Sequence, residues 1–252
     1  MRGIFSSELY KLFKRRGIWL LFLVTVLSGL LIGFIAFASL DTTLNSEQIQ
    51  VSEWVFIQGN NIYNIFFIMI IVLTATFYAL EYNDNTIKSV LFRGTSKVYV
   101  FISKFILNIM MIFLLLIGFI LFGSIVVGMR NDFSMVFTGM AIRNYIIFAG
   151  RLTLIMAAYS SVFTFVNIVT QNLISSIAFS YGIRLLEGLI VLVVRSIGNL
   201  DWIEKMVVAN YDFHLYTTVT KAMKDEMLIC VVITITFMII SLICFCKQDI
   251  KK

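Results

Sequence analysis

Long apolar runs alternate with short polar connections along the whole chain. Six runs stand out, at 18–40, 62–80, 105–127, 145–169, 173–194 and 227–246. A helix rising 1.5 Å per residue needs about twenty apolar residues to cross a hydrocarbon core of about 30 Å. The pattern therefore predicts an all-α integral membrane protein with six transmembrane helices. No long soluble segment separates the runs, so residues 1–252 read as a single membrane domain.

Three segments depart from this alternation. Residues 4–16 carry Phe5, Leu9, Leu12 and Phe13 on one helical face and Ser7, Lys11 and Lys14 on the other. That pattern predicts an amphipathic helix lying in the headgroup layer. Between the second and third runs comes EYNDNTIKSVLFRGTSKVYVFISK, from Glu81 to Lys104. Asp84 or Asn85 can cap a short helix there, and Gly94 can end it. Ile87, Val90 and Leu91 share one face of that helix, with Lys88 turned away; Ser96 can then cap the helix that enters the third run. The stretch at 195–226 mixes short apolar runs with Asp201, Glu204, Lys205, Asp212 and His214. Such a composition fits a re-entrant-like segment dipping into the membrane surface better than a seventh span.

Composition excludes a soluble domain. Hydrophobic residues make up 60% of the chain and charged residues only 13%, against roughly a quarter charged in globular proteins. Mean hydropathy is +0.96. The net charge of +6 arises at span ends rather than on a separate domain, which argues against nucleic acid as a partner. Twelve of the 20 basic residues fall at the N-terminus, at 81–104 and at the C-terminus. The positive-inside rule then places both termini and the 81–104 segment in the cytosol. Ala36-Phe37-Ala38 resembles a signal-peptidase site, but the apolar run is longer than a signal peptide's, so the segment is expected to be a retained span.

Proline is absent. Any break in a span must come from glycine or from polar residues. Gly29 and Gly33, with Ala36 beyond, would let the first span approach a neighbour closely. The three cysteines, Cys230, Cys244 and Cys246, all fall in the last run and read as buried small hydrophobes.

Catalytic chemistry finds little purchase. There is one histidine, no HExxH or GxSxG motif and no GxxxxGK[ST] loop, so the chain is expected to be non-catalytic, to hold no metal and to hydrolyse no nucleotide through a P-loop of its own. Three ionisable residues lie within spans: Arg151, Arg184 and Glu187. Charges at such depth are costly and face a partner or a watery cavity. Helical rise places Arg151 and Glu187 each roughly 10 Å below the outer surface, and Arg184 shares a helical face with Glu187. An intramembrane charge cluster is expected, with Glu187 serving one or both arginines.

SSELYKLFKRRGIWLL at the start of the chain and EYNDNTIKSVLFRGTSKVYVFISKF after the second run resemble the first segment and first cytosolic loop of type-2 ABC transporter permeases. The acidic residue after span two, the Gly94-Thr95-Ser96 turn and Lys104 carry that likeness. The small size and missing ATPase domain are most similar to bacterial permeases of peptide export and immunity, including those for phenol-soluble modulins, bacitracin resistance and lantibiotic immunity. The resemblance implies the membrane subunit of an exporter in the bacterial plasma membrane. Two permease chains, alike or different, would pair above two ABC ATPase subunits, which would hold ATP and Mg, this chain binding no cofactor of its own. Ile87, Lys88, Val90, Leu91 and Phe92 would enter a groove on the ATPase, and Phe5, Leu9 and Leu12 would brace the same surface. Cargo would be amphipathic peptides or peptide antibiotics. The alternatives are an immunity or sensor protein that binds peptides without moving them, and an intramembrane enzyme, against which the scarcity of histidine counts.

Overall fold

The computed structural model of the chain describes residues 2–43, 54–83, 96–129, 138–197 and 221–248. Among these are nine helices and no strand: α1 (Arg2–Lys14), α2 (Arg16–Thr43), α3 (Trp54–Ile57), α4 (Gly59–Phe77), α5 (Ala79–Asn83), α6 (Lys97–Gly128), α7 (Gly139–Thr170), α8 (Leu173–Ile197) and α9 (Lys221–Lys247). Six stretches are long and apolar enough to span a membrane: Arg16–Ala36, Gly59–Tyr82, Lys97–Gly128, Gly139–Thr170, Leu173–Ile190 and Asp225–Lys247. The expected span count stands. The re-entrant-like segment falls largely outside the described residues, as do the short helix with Ile87, Lys88, Val90, Leu91 and Phe92, and the cap residues Asp84, Asn85 and Gly94.

α7 is the hub. It packs against α4, α6, α8 and α9, while α2 lies along α6. Its 32 residues rise roughly 48 Å, so its ends stand beyond a 30 Å apolar core. Thr138 caps the start, its side chain accepting from the Ala141 amide at 3.2 Å. Gln171 ends the helix with φ 52°, and Asn172 Oδ1 at once accepts from the Ile174 amide at 3.0 Å. A two-residue turn therefore sends the chain straight back as α8.

Glycine decides how close α2 comes to α6. A Cβ on Gly29 would sit 2.9 Å from the Phe119 carbonyl oxygen, and one on Gly33 would sit 2.7 Å from that of Gly123. The buried Trp54 of α3 closes over the same crossing, its ring occupying the place a Gly123 Cβ would take. The small residues at Gly29 and Gly33 thus meet α6 backbone, the contact that their spacing permits.

The second span is broken without proline. α4 ends at Phe77 and α5 begins at Ala79. Just before the break, Thr74 Oγ1 bonds back to the Ile70 and Ile71 carbonyls at 2.6 and 3.1 Å, and Thr76 Oγ1 bonds to that of Leu73 at 2.7 Å. Hydroxyl back-bonding of this kind bends helices. A helix end also exposes its last carbonyls, and two cations take them here: Arg15 Nη1 donates to Thr76 O at 2.7 Å and Lys104 Nζ to Phe77 O at 3.5 Å.

One cap bond and one boundary differ from the sequence expectation. Ser96 stands at the N-cap of α6 but makes no side-chain cap bond, leaving Lys97 and Lys104 to fix that end. The last helix starts at Lys221 rather than at 227. Glu226 therefore belongs to the helix and not to the preceding connection.

Candidate functional site

Cations and carboxylates alternate across the end of the bundle from which 84–95 departs and to which it returns. Lys104 of α6 is at the centre. Its Nζ lies 2.9 Å from Glu8 Oε2 on α1 and 2.5 Å from Glu81 Oε2 on α5. Glu8 Oε1 takes Lys11 at 2.6 Å, and Glu81 Oε1 takes Arg15 at 3.0 Å. The result is one unbroken chain, Lys11–Glu8–Lys104–Glu81–Arg15, joining three helices and the corner between α1 and α2.

The inner members are dry. Glu8, Lys104 and Glu81 are each 2–3% exposed, so water contributes little to their solvation. A buried charge is tolerated when its geometry and hydrogen bonds are complete, and here both oxygens of both carboxylates are engaged. Burial raises the Glu8 pKa, but the Lys104 charge and hydrogen bonds from Lys11 and Lys104 outweigh it, leaving the carboxyl below its ordinary value.

A second set of contacts pins the same frame to α9. Lys97 Nζ donates to the Cys246 and Gln248 carbonyls at 3.1 and 2.9 Å, satisfying the helix C-terminus with a positive charge. Tyr82 donates to Gln248 Oε1 at 2.8 Å, and Gln248 Nε2 donates to Ile168 O at 2.7 Å. Glu81 and Tyr82 thus fix the last described residues before 84–95, and Lys97 and Lys104 the first ones after it.

α1 takes an unexpected attitude. Leu12 is buried, and Phe5 and Leu9 pack against the core. The resemblance implied that these three would brace an ATPase; here Leu12 is enclosed by the bundle, and Phe5 and Leu9 are half-buried against it. The reason is Glu8, which lies among them on the same face and is drawn inward by Lys104. What α1 turns outward is Tyr10, Phe13 and Lys14.

The expected cluster of Arg151, Arg184 and Glu187 divides into two pairs. Glu187 serves Arg184, at 3.6 Å within α8. Arg151 instead meets Glu226 Oε2 of α9 at 2.6 Å. Depth along the helix matched Arg151 with Glu187, but the α9 start brings a carboxylate nearer. Arg184 also lies 5.2 Å from the ring centres of Tyr63 and Phe67. Tyr63 donates to Tyr159 at 3.0 Å, and Tyr159 donates to Glu187 Oε2 at 2.8 Å.

Glu8 and Glu226 were the members that sequence reasoning missed. Glu8 had a signal: it is the sole acidic residue in the first forty and lies three before Lys11. Among the described residues no group of three or more His, Cys, Asp or Glu side chains is placed to hold a metal ion.

No curated protein matches the chain. A family profile described as ABC-2 family transporter protein matches residues 4–187, a stretch that contains every member of the Lys11–Arg15 charge chain.

Proposed function

The chain belongs to the ABC-2 transporter family, a family of ABC transporter membrane subunits, and from there we propose that it works a bacterial exporter of amphipathic peptides. A separate ABC ATPase subunit binds and hydrolyses ATP, and the chain itself is non-catalytic. Two permease chains pair in the bacterial plasma membrane, and segment 84–95 with both termini faces the cytosol.

The observation that supports this reading is the dry charge chain around Lys104. A connector between two spans needs no such frame. A lever does: force applied at 84–95 must reach the spans without being lost in loose side chains. Lys104 passes displacement to α6 directly, to α5 and the bent second span through Glu81, and to α1 through Glu8. Arg15, at the α1–α2 corner, extends the path into the first span. In this reading the apolar face of Ile87, Val90 and Leu91 engages the ATPase, with Lys88 and Phe92 beside it. Tyr10, Phe13 and Lys14 join the part-exposed Phe5 and Leu9 as the bracing surface, with the buried Leu12 behind them.

The test is co-purification with an ATPase encoded beside the gene. Leu91→Asp abolishes the association while leaving the permease folded in the membrane. Normal recovery of the ATPase with that variant overturns the docking assignment.

A further inference from the structure

Among the described residues, three clefts open on the bundle surface. Two of them, of about 370 and 350 Å³, are lined between α6, α7 and α9 or between α6 and α7 by side chains that carry no charge, Tyr145 bringing the one phenol. Lipid chains satisfy such surfaces. The third, of about 230 Å³, is different. Tyr159 and Val162 of α7, Ile183 and Glu187 of α8, and Ile233 and Phe237 of α9 line it. Ile183, Glu187, Ile233 and Phe237 are all part-exposed, so the cleft opens sideways, within the span of the helices.

Glu187 is incompletely used there. Its Oε2 accepts from Tyr159 at 2.8 Å and faces Arg184 at 3.6 Å. Arg184 is shared with the faces of Tyr63 and Phe67, 5.2 Å away on each, and comes no nearer. Among the described residues, Oε1 of Glu187 takes no hydrogen bond. A carboxylate at membrane depth with an oxygen unserved is costly unless something fills the place.

We propose that this cleft binds the cationic group of an amphiphile arriving from the surrounding lipid, with Glu187 as its anchor. Charge complementarity sets the sign of the ligand. The lack of a second carboxylate in the lining disfavours a metal ion, which needs several oxygen ligands. Tyr159 and Phe237 contribute aromatic faces of the kind that attract organic cations. The volume falls below that of pockets enclosing a whole drug-sized molecule, so an amine or guanidinium with a short stem enters and the apolar remainder stays in the bilayer. The site deepens the transport reading by naming the cargo's charged end, yet binding there requires no ATPase.

The test is photolabelling of the full-length chain in lipid nanodiscs with a diazirine-bearing long-chain alkylamine, beside the alcohol of equal length. The amine labels the segments around Val162, Ile233 and Phe237 saturably, and the alcohol does so weakly. Glu187→Gln keeps an acceptor for Tyr159 but removes the charge, and weakens amine labelling about tenfold or more. Ile233→Trp fills the cleft without touching the charge and also removes the label. Equal labelling by amine and alcohol, or undiminished amine labelling in either variant, overturns the proposal. Neither outcome bears on ATPase retention, so the docking assignment fails or stands by its own test.

Discussion

The charge chain around Lys104 and the Arg184–Glu187 pair use the same chemistry to opposite effect. The first joins side chains from three helices at 2.5–3.0 Å, with its central members almost wholly enclosed. The second lies within one helix at 3.6 Å, and both side chains are over a fifth exposed. Closed valence makes the first a joint. Open valence makes the second a receptor. A charge buried with every oxygen engaged resists displacement, because each withdrawn partner strands another charge in a dry site. A charge with a free oxygen facing a cleft has a place for something new.

The comparison breaks most readily at Lys104. Lys104→Met strands Glu8 and Glu81 together, and unfolding in nanodiscs should show a loss of about 3–5 kcal/mol. Glu226→Gln should cost about 2 kcal/mol by the same measurement, since Arg151 stays buried while its partner is one-fifth exposed. Glu187→Gln should change stability by less than about 1 kcal/mol, although it removes cation binding. A Glu187 variant as unstable as the Lys104 variant would erase the distinction between joint and receptor.

The subtlest prediction concerns pH. The Glu8 carboxyl is held below its ordinary value, so its contribution is fully present above the unfolded carboxylate pKa. That contribution disappears as pH falls through the depressed folded value. Stability attributable to Glu8, taken as wild type minus Glu8→Gln, should be flat between about pH 5 and 8 and decline only in stronger acid. A decline already evident near neutrality would mean that Lys104 and Lys11 do not hold the carboxylate in its charged form.

Much of the fold was legible because apolar length is a one-dimensional signal. Six runs became six helices long enough to span, and the absence of proline left glycine or polar residues as breakers, although it did not point to Thr74 and Thr76. Pairing across helices is a different matter. Helical rise gave Arg151 and Glu187 the same depth but carried no information about direction around the helix axis, so it left open whether Glu187 serves one arginine or both, and Glu226 as the partner of Arg151 was out of its reach. Glu226 was hidden by a boundary, since a charged residue at the start of an apolar run is indistinguishable from the end of a loop. Glu81 and Lys104 were singled out by resemblance, yet their meeting through space was not foreseen. Phe5, Leu9 and Leu12 were placed against the ATPase by resemblance, while amphipathicity named their face without saying what it meets. Glu8, beside them, supplied the missing information only once Lys104 was in place.

Retention of the ATPase by the Lys104→Met permease is the decisive measurement, scored per molecule of folded, monodisperse permease against wild type and Glu187→Gln. If Lys104 holds the frame that presents 84–95, the Lys104 variant should lose most of its ATPase while Glu187→Gln retains it at the wild-type level. Full retention by folded Lys104→Met would contradict the assignment of this charge chain as the joint between the ATPase and the spans.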